Sequence, residues 1–397
     1  MQSIGRLSLG RFTLGTLKMP SPKLNPKPAT VDGGQAPEPY GWFLHPVVDL
    51  ILVCGGLVWI ITLLMSSNIL PDLTRADSKL TAIVSYLVLG LFIVPHGMAT
   101  YFRVYDVEAT RKVSGKKVAY LALLCLGLAV IAGISPFWTS VIGRLTICLS
   151  FQHGFAQAYG IALIYCYKRK YFLNKTEKAF FYLIVQAGIL LGTINCLSNN
   201  NLIILNSKMI PLFPVFPSWV IRASEWAMVS SVLAFAVVVA RKYFVEKRMM
   251  PLPAILTTIT SVYIFAFVMP GASRLGGYFI VLYALAHGIF HTPQYLVVTT
   301  SVHLKNQGLP ESLPVSQIAR HVFSWTGFKY FLSLYSMAVI YMAGGALILV
   351  LSSRAGLTPP IDVTMVAFFS AMNLHHYFSD MIVWRLRDKE NTALLLS

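Results

Sequence analysis

The stretch VAYLALLCLGLAVIAGIS, residues 118–135, carries no charged side chain, and Lys116 and Lys117 stand directly before it. Its length is close to the roughly 20 apolar residues that an α-helix needs to cross a bilayer. Lysine at one end is typical of the cytoplasmic end of such a helix. The stretch therefore predicts a transmembrane helix that begins at the cytoplasmic face.

Similar apolar runs recur along the whole chain of 397 residues, of which 56% are hydrophobic and 12% charged. Soluble domains carry about twice that charged fraction. No stretch alternates like a strand of a transmembrane β-barrel. The composition predicts an all-α, polytopic membrane protein of about ten transmembrane helices. These helices are predicted at residues 46–66, 79–101, 118–135, 142–167, 179–196, 224–241, 252–270, 276–300, 330–353 and 361–384.

The net charge of +17 is distributed unevenly between the connections. Lysine and arginine cluster in the N-terminal segment, at the C-terminus, and after the second, fourth, sixth and eighth predicted helices, within residues 103–117, 168–178, 241–248 and 305–329. This alternation is the positive-inside pattern, and it predicts that both termini are cytoplasmic. The basic surplus then indicates orientation and contact with anionic lipid, and it does not indicate a nucleic-acid partner.

Residues 1–41 differ from the rest because they contain six prolines and no acidic residue before Asp32. We expect a disordered, basic cytoplasmic tail here, since such a composition cannot form a core. An organelle transit peptide is the alternative, because the segment is basic and contains serine. Residues 42–397 are predicted to form a single helical transmembrane domain.

The five cysteines lie singly within predicted helices and form no CxxC pair. This spacing predicts neither a zinc ribbon nor a disulfide framework. The simplest interpretation is that each is a small apolar packing residue.

Histidines stand out within the apolar runs. His96, His153 and His287 are each followed by glycine, whereas random placement would give 9 × 27 / 397, about 0.6, such pairs. Polar side chains are costly inside a bilayer and are usually functional there. All the histidine-bearing helices have even numbers, so the histidines are expected in the cytoplasmic half of the membrane.

The spacing of the histidines indicates a metal site. His287 and His291 lie four residues apart, which places both rings on one face of an α-helix. Asp380 and Gln157 follow His376 and His153 by one turn, so each could bind the metal ion or orient its histidine from behind. The predicted ligands are His96, His153, His287, His291, His375 and His376. A hydrogen bond between helices is the alternative for any single histidine.

Imidazole ligands suit iron, zinc or copper. Asp49, Asp106 and Glu108 are further acidic residues near the predicted histidine helices, and Tyr101, Tyr159 and Tyr295 are candidates to line a cavity, with core packing as the alternative. The sequence contains no HExxH, P-loop or GxSxG motif, which disfavours metalloprotease, nucleotidase and hydrolase chemistry.

Histidines on several membrane helices near the cytosolic face resemble those of the integral-membrane iron oxygenases: lipid desaturases, hydroxylases and bacterial carotene-cleaving dioxygenases. His287-x-x-x-His291 looks like an HxxxH box, although Met372 stands where an HxxHH box would have its first histidine. The scattered arrangement is more similar to the carotene-cleaving group. The resemblance implies non-haem iron, a lipid or isoprenoid substrate, and a role for an electron donor.

Two other functions remain open. A proton-coupled transporter would use intramembrane histidine and aspartate as a proton relay. A haem or quinone redox protein would use paired histidines from facing helices as axial ligands, and haem is the less favoured of the cofactors.

Overall fold

The computed structural model describes residues 41–67, 69, 87–200, 202–204, 207–268, 286–309, 315–354, 361–383 and 395–396. All of them belong to one unit of the chain, Pro39–Ser397. The predicted tail, residues 1–41, lies outside the described residues except for Gly41, and it stays a prediction.

The regular secondary structure of the described residues is helical apart from one short hairpin. The α-helices are α1 (Pro46–Val48), α2 (Gly56–Ser66), α3 (Val94–Tyr105), α4 (Glu108–Ile134), α5 (Pro136–Lys168), α6 (Lys175–Ser198), α7 (Ser218–Glu246), α8 (Leu252–Val262), α9 (Thr292–Asn306), α10 (Ile318–Val322), α11 (Trp325–Arg354) and α12 (Ile361–Val383). Four π-helical segments adjoin them: π1 (Asp49–Val53), π2 (Leu89–Ile93), π3 (Tyr263–Val268) and π4 (Ala286–His291). A 3₁₀ turn covers Val315–Gln317. In the hairpin, β1 (Ile203–Ile204) pairs antiparallel with β2 (Ser207–Lys208).

Helical structure occupies the described part of every predicted transmembrane segment. Within the described residues, four helices are long and apolar enough to cross a membrane: Thr110–Gly133, Lys175–Ser198, Ser218–Glu246 and Trp325–Leu347. A fifth candidate, Pro46–Val53 with Gly56–Ser66, is bent by 59°. The all-helical fold is therefore confirmed, and these candidate spans suggest a membrane protein. The count of ten spans and the side of each terminus stay predictions.

The bend in the fifth candidate span occurs at Gly55. Its φ of +87° lies in the left-handed region, which only glycine adopts without strain. A Cβ atom at this position would lie 2.4 Å from the side chain of Thr260. The Thr260 hydroxyl accepts a hydrogen bond from Trp59 and donates one to the carbonyl of Cys54, and so it holds both sides of the bend.

Helices α5 and α12 are not among the four candidate spans because polar residues lower their hydropathy. Helix α5 includes His153 and Gln157, and α12 includes His376 and Asp380. Helix α5 contacts α4, α6, α8 and α12, so its polar residues face other helices. These two helices lie inside the bundle, and the polar groups they carry are buried together.

The π-helical segments gather at one place in the bundle, since π4 contacts each of the other three. A π segment contains one extra residue per turn, and such segments are frequent at functional sites. Segment π2 leads directly into α3, which carries His96, and π4 ends at His291. The backbone is therefore irregular where the histidine-bearing elements converge.

Candidate metal centre

Four of the predicted ligands come together in the core: His96, His153, His291 and His376. One ring nitrogen from each lies within 4.8 Å of those of the other three. They belong to α3, α5, π4 and α12, so four separate elements contribute one histidine each. Every ring is at least 95% buried. We call these four residues the histidine cluster, and it could hold a metal ion.

The rings of the cluster contact one another edge to face. The ring of His96 lies 4.2 Å from that of His376 and 4.9 Å from that of His291, measured between centroids. The ring of His153 lies 4.7 Å from each of the same two partners. Tyr377 stacks on the ring of His153 at 4.6 Å, and so fixes its plane.

A hydrogen-bond network surrounds Nδ1 of His376. The Thr100 hydroxyl donates to Asp380 Oδ1 at 3.2 Å, and it lies 2.7 Å from His376 Nδ1. A hydroxyl has one proton, so a Thr100 that donates to the carboxylate accepts from Nδ1–H. The Nε2 atom of His376 is then unprotonated, as a metal ligand must be.

The unprotonated Nε2 of His376 faces Nε2 of His153 at 3.0 Å. Two nitrogens bound to one metal ion at about 2.1 Å and at right angles would lie about 3.0 Å apart. Asp380 Oδ2 faces the same point, 3.7 Å from Nε2 of His376 and 3.9 Å from Nε2 of His153. The donor atoms and their spacing therefore fit a transition-metal ion.

Tyr295 connects the network to His96. Its hydroxyl donates to Asp380 Oδ1 at 2.8 Å and lies 2.9 Å from the hydroxyl of Thr100. Its ring packs against His96 at 4.4 Å between centroids. Asp380 therefore receives two hydroxyl donors on one oxygen, which holds its other oxygen toward the histidines.

Gln157 fixes the position of π4 and not of a histidine ring. Its amide nitrogen donates to the backbone carbonyl of His291 at 2.9 Å and to the side-chain oxygen of Gln294 at 3.3 Å. Gln294 in turn donates to the carbonyl of Val53 at the end of π1. This chain of amides ties α5 to the two π segments and so holds His291 in place.

A polar side chain follows every histidine of the cluster by four residues. These partners are Thr100, Gln157, Tyr295 and Asp380. Three of them were recognised as candidates from the sequence, but Thr100 was missed. The signal that could have found it is its spacing from His96, which equals the spacing of Asp380 from His376.

The remaining two predicted ligands are not part of the described cluster. His375 turns away from it: the ring stacks on Tyr101 at 5.4 Å, and Nε2 lies 3.1 Å from the carbonyl oxygen of Val118. The side chain of His287 lies outside the described residues, although its backbone belongs to π4. The segment that carries His287 and His291 is a π-helix and not the expected α-helix. The role of His287 as a ligand stays a prediction.

Other acidic residues considered from the sequence have structural partners elsewhere. Asp49 accepts backbone N–H bonds from Phe43 and Leu44 at 2.6 and 3.1 Å, together with the hydroxyl of Tyr165 at 2.7 Å. Asp106 pairs with His303 at 2.5 Å. Glu108 pairs with Lys112 on the surface. Of the four acids, Asp380 is the one that reaches the cluster.

Two of the three glycines that follow histidine allow close packing. A Cβ atom on Gly154 would lie 2.5 Å from the ring of Phe265, and one on Gly288 would lie 2.0 Å from Val88. Gly97 differs, because a Cβ atom there would meet only Met372, at an ordinary 3.8 Å. The expected role of glycine in close approach therefore applies to Gly154 and Gly288.

A cavity of about 520 Å³ adjoins the cluster. Its walls come from α5, α6, α9 and α12, and most of the lining is apolar. Its lining includes His153, Tyr295 and Asp380 from the site and also Tyr159. Two of the three tyrosines considered from the sequence thus line the cavity, whereas Tyr101 stacks on His375.

Comparison with known proteins finds no protein-family model, curated protein or solved structure that matches this chain. The resemblance to membrane iron oxygenases thus stays an expectation from the sequence.

Proposed function

We propose that this protein is an integral-membrane oxidoreductase that binds iron at the histidine cluster and acts on a lipid or isoprenoid. The observation that carries the proposal is the convergence of four buried imidazoles beside an apolar cavity. Each imidazole comes from a different element, so four separate elements pack together at this one site.

Iron is favoured over haem by the contacts within the cluster. All four rings touch at least two other rings of the cluster, with nearest centroids 4.2–4.9 Å apart. A porphyrin between two axial histidines would need a flat slot that this packing does not provide. Zinc and copper also accept imidazole ligands and are the alternatives to iron.

The substrate class follows from the cavity. Its lining is mostly apolar, and its volume lies within the range of about 300–1,000 Å³ that is usual for small-molecule sites. Tyr182 and Met381 at its edge are 46% and 53% exposed. Tyr182 belongs to α6, a candidate membrane span, so the opening would face the bilayer. A chain dissolved in the membrane could enter sideways.

The residues of the chain divide the work at this site. A bound iron ion would supply redox chemistry and open positions for oxygen. Thr100 and Asp380 keep Nε2 of His376 unprotonated, Gln157 holds π4, and the apolar walls exclude water. Tyr295 stands between the cluster and the cavity, with its hydroxyl held by Asp380.

The membrane topology of the proposal is ten spans with both termini in the cytoplasm. The support is the alternation of Lys and Arg clusters together with the candidate spans. Under this topology the histidine cluster lies in the cytoplasmic half of the membrane, within reach of an electron donor from the cytosol. Reporter fusions after Lys117 and Lys178 should both give a cytoplasmic signal.

One observation favours a second function, proton-coupled transport. Asp380, Tyr295, Thr100 and His376 form a continuous buried network of hydrogen bonds. Such networks carry protons in membrane pumps and transporters. A metal requirement would separate the two functions, because a proton relay needs no ion at Nε2 of His153 and His376.

The deciding comparison uses a host that makes both phospholipids and carotenoids. The host expresses wild-type protein, a His291→Ala variant or a His321→Ala variant. The last is the matched control, because His321 lies outside the cluster. Extracted lipids are then analysed by mass spectrometry. We expect new oxidised products with wild type and His321→Ala and none with His291→Ala. Identical profiles in all three strains, with proton flux in liposomes that depends on Asp380, would replace this proposal with the transporter.

A further inference from the structure

Two of the five cysteines are neighbours in the fold, although 47 residues separate them in the sequence. Cys148 lies in α5 and Cys196 near the end of α6, and their thiols are close enough to interact. The Sγ atom of Cys196 also lies 3.8 Å from the carbonyl oxygen of Arg144. That carbonyl belongs to the residue one turn before Cys148, so the sulfur of Cys196 sits beside the Cys148 turn of α5.

A buried arginine holds the two helices together at this level. Arg144 donates to the carbonyl of Cys196 at 2.7 Å, to that of Asn199 at 2.9 Å and to that of Ile210 at 3.3 Å. With its bonds to the first two carbonyls, Arg144 caps the C-terminal end of α6. Because Cys148 follows Arg144 by four residues, its side chain leaves α5 on the same face. The thiol pair is thus aligned by contacts that do not involve sulfur.

The position of the pair across the membrane favours oxidation. Under the proposed topology, α6 begins at the cytoplasmic Lys175 and ends at Ser198 on the opposite face. Cys196 is buried two residues before that end, near the face on which disulfides can persist. Cys148 is partly exposed, so a reagent can reach one thiol of the pair.

We propose that Cys148 and Cys196 form a reversible disulfide that joins α5 to α6. A Cys148 thiolate attacks one sulfur of an external disulfide, and a mixed disulfide forms as one thiol leaves. Cys196 then attacks the sulfur of Cys148, and the second external thiol leaves. Two protein thiols are oxidised, one external disulfide is reduced to two thiols, and the two cysteine protons end on those thiols.

The disulfide would act on the helix that carries the functional site. His153 lies five residues beyond Cys148 on α5, and the wall of the cavity continues along the same helix. A covalent link between α5 and α6 restricts the separation of these helices, and it also restricts the unfolded chain. Oxidised protein should therefore unfold at a higher temperature than reduced protein.

The test counts free thiols in the full-length protein. Protein in detergent micelles is treated with oxidised glutathione, unfolded in SDS and labelled with a maleimide that adds a known mass. Reduced protein should show five free thiols and oxidised protein 5 − 2 = 3. Peptide mapping should place the bond between Cys148 and Cys196, and dithiothreitol should restore five thiols.

Matched serine variants distinguish this pair from the other cysteines. Cys148→Ser should keep its four remaining thiols after oxidation, whereas Cys125→Ser, which leaves the pair intact, should fall from four to two. Metal content should be the same in reduced and oxidised wild type, so this test is independent of the proposed function. Five free thiols in oxidised wild type, or a bond that involves another cysteine, would overturn the proposal.

Discussion

The Nε2 atoms of His153 and His376 lie 3.0 Å apart, although the two residues are 223 positions apart in the sequence and belong to different helices. When Thr100 donates to Asp380 and accepts from Nδ1–H of His376, Nε2 of His376 carries a lone pair. Two imidazole nitrogens held this way share either one proton or one metal ion, and the positions of His96 and His291 favour the ion.

The role of Thr100 can be tested by Thr100→Val, which keeps the shape and removes the hydroxyl. His376 then loses the partner that fixes its tautomer, and we expect metal affinity to fall by about 10–100-fold. Competition with a coloured chelator measures this affinity. The matched control is Thr146→Val, since Thr146 bonds only to the carbonyl of Ile142 in its own helix. Equal losses in both variants would contradict the assigned role.

Packing beside the cluster can be tested with two glycines. Gly154→Ala would bring a methyl group against Phe265, which is fully buried between Phe155 and Phe290 and has little room to move. We expect a loss of about 1–3 kcal/mol in stability. Gly97→Ala makes only an ordinary contact and should be close to neutral. Thermal unfolding in detergent measures both, and a larger loss at Gly97 would show that the packing is different.

The cavity can be closed without touching the cluster. Gly160 lines it, and a Cβ atom there would meet no heavy atom within 4 Å, so Gly160→Leu places its side chain in open space. We expect unchanged metal content and a fall of about tenfold or more in product formation, because the substrate can no longer lie beside the metal. Gly127→Leu, also in open space but on α4, is the control. Full activity of Gly160→Leu would place the substrate elsewhere.

Lys305, at the end of α9, gives a prediction for pH. Burial and the nearby charge of Lys168 lower the pKa of Lys305 to about 7, and Asp49 opposes this shift. In the unfolded chain the pKa is about 10.4, so between pH 7 and 10 the unfolded state binds more protons and stability rises with pH. Lys305→Met should flatten the rise of Tm over this range. The exposed Lys117→Met should leave it unchanged, and equal slopes in wild type and Lys305→Met would contradict the prediction.

The sequence predicted where the helices lie because a buried or membrane-facing helix needs a long apolar run. It did not predict the π segments. Over only five or six positions, the pattern of apolar residues is the same for an α-helix, with 3.6 residues per turn, and for a π-helix, with more. This is why an α-helix was expected at His287 and His291, where the structure has a π-helix. The start of α4 at Glu108 was also missed, because five of the ten residues 108–117 are charged and do not continue the apolar run.

The histidine cluster was predicted in part. Apolar surroundings singled out the histidines, but they could not show which ring of the His375–His376 pair points inward. The direction is set by Thr100 and Asp380 on one side and by Tyr101 on the other. Thr100 was missed because a threonine within an apolar helix usually bonds to its own backbone.

Metal analysis of purified protein tests the central claim most directly. Wild-type protein expressed in iron-supplemented medium should contain about one metal ion per chain, and His153→Ala and His96→Ala should each deplete it. His375→Ala should keep its metal, because that ring points to Tyr101 and Val118. Active wild-type protein without bound metal, or an equal loss in His375→Ala and His153→Ala, would contradict the claim that the histidine cluster is a metal centre.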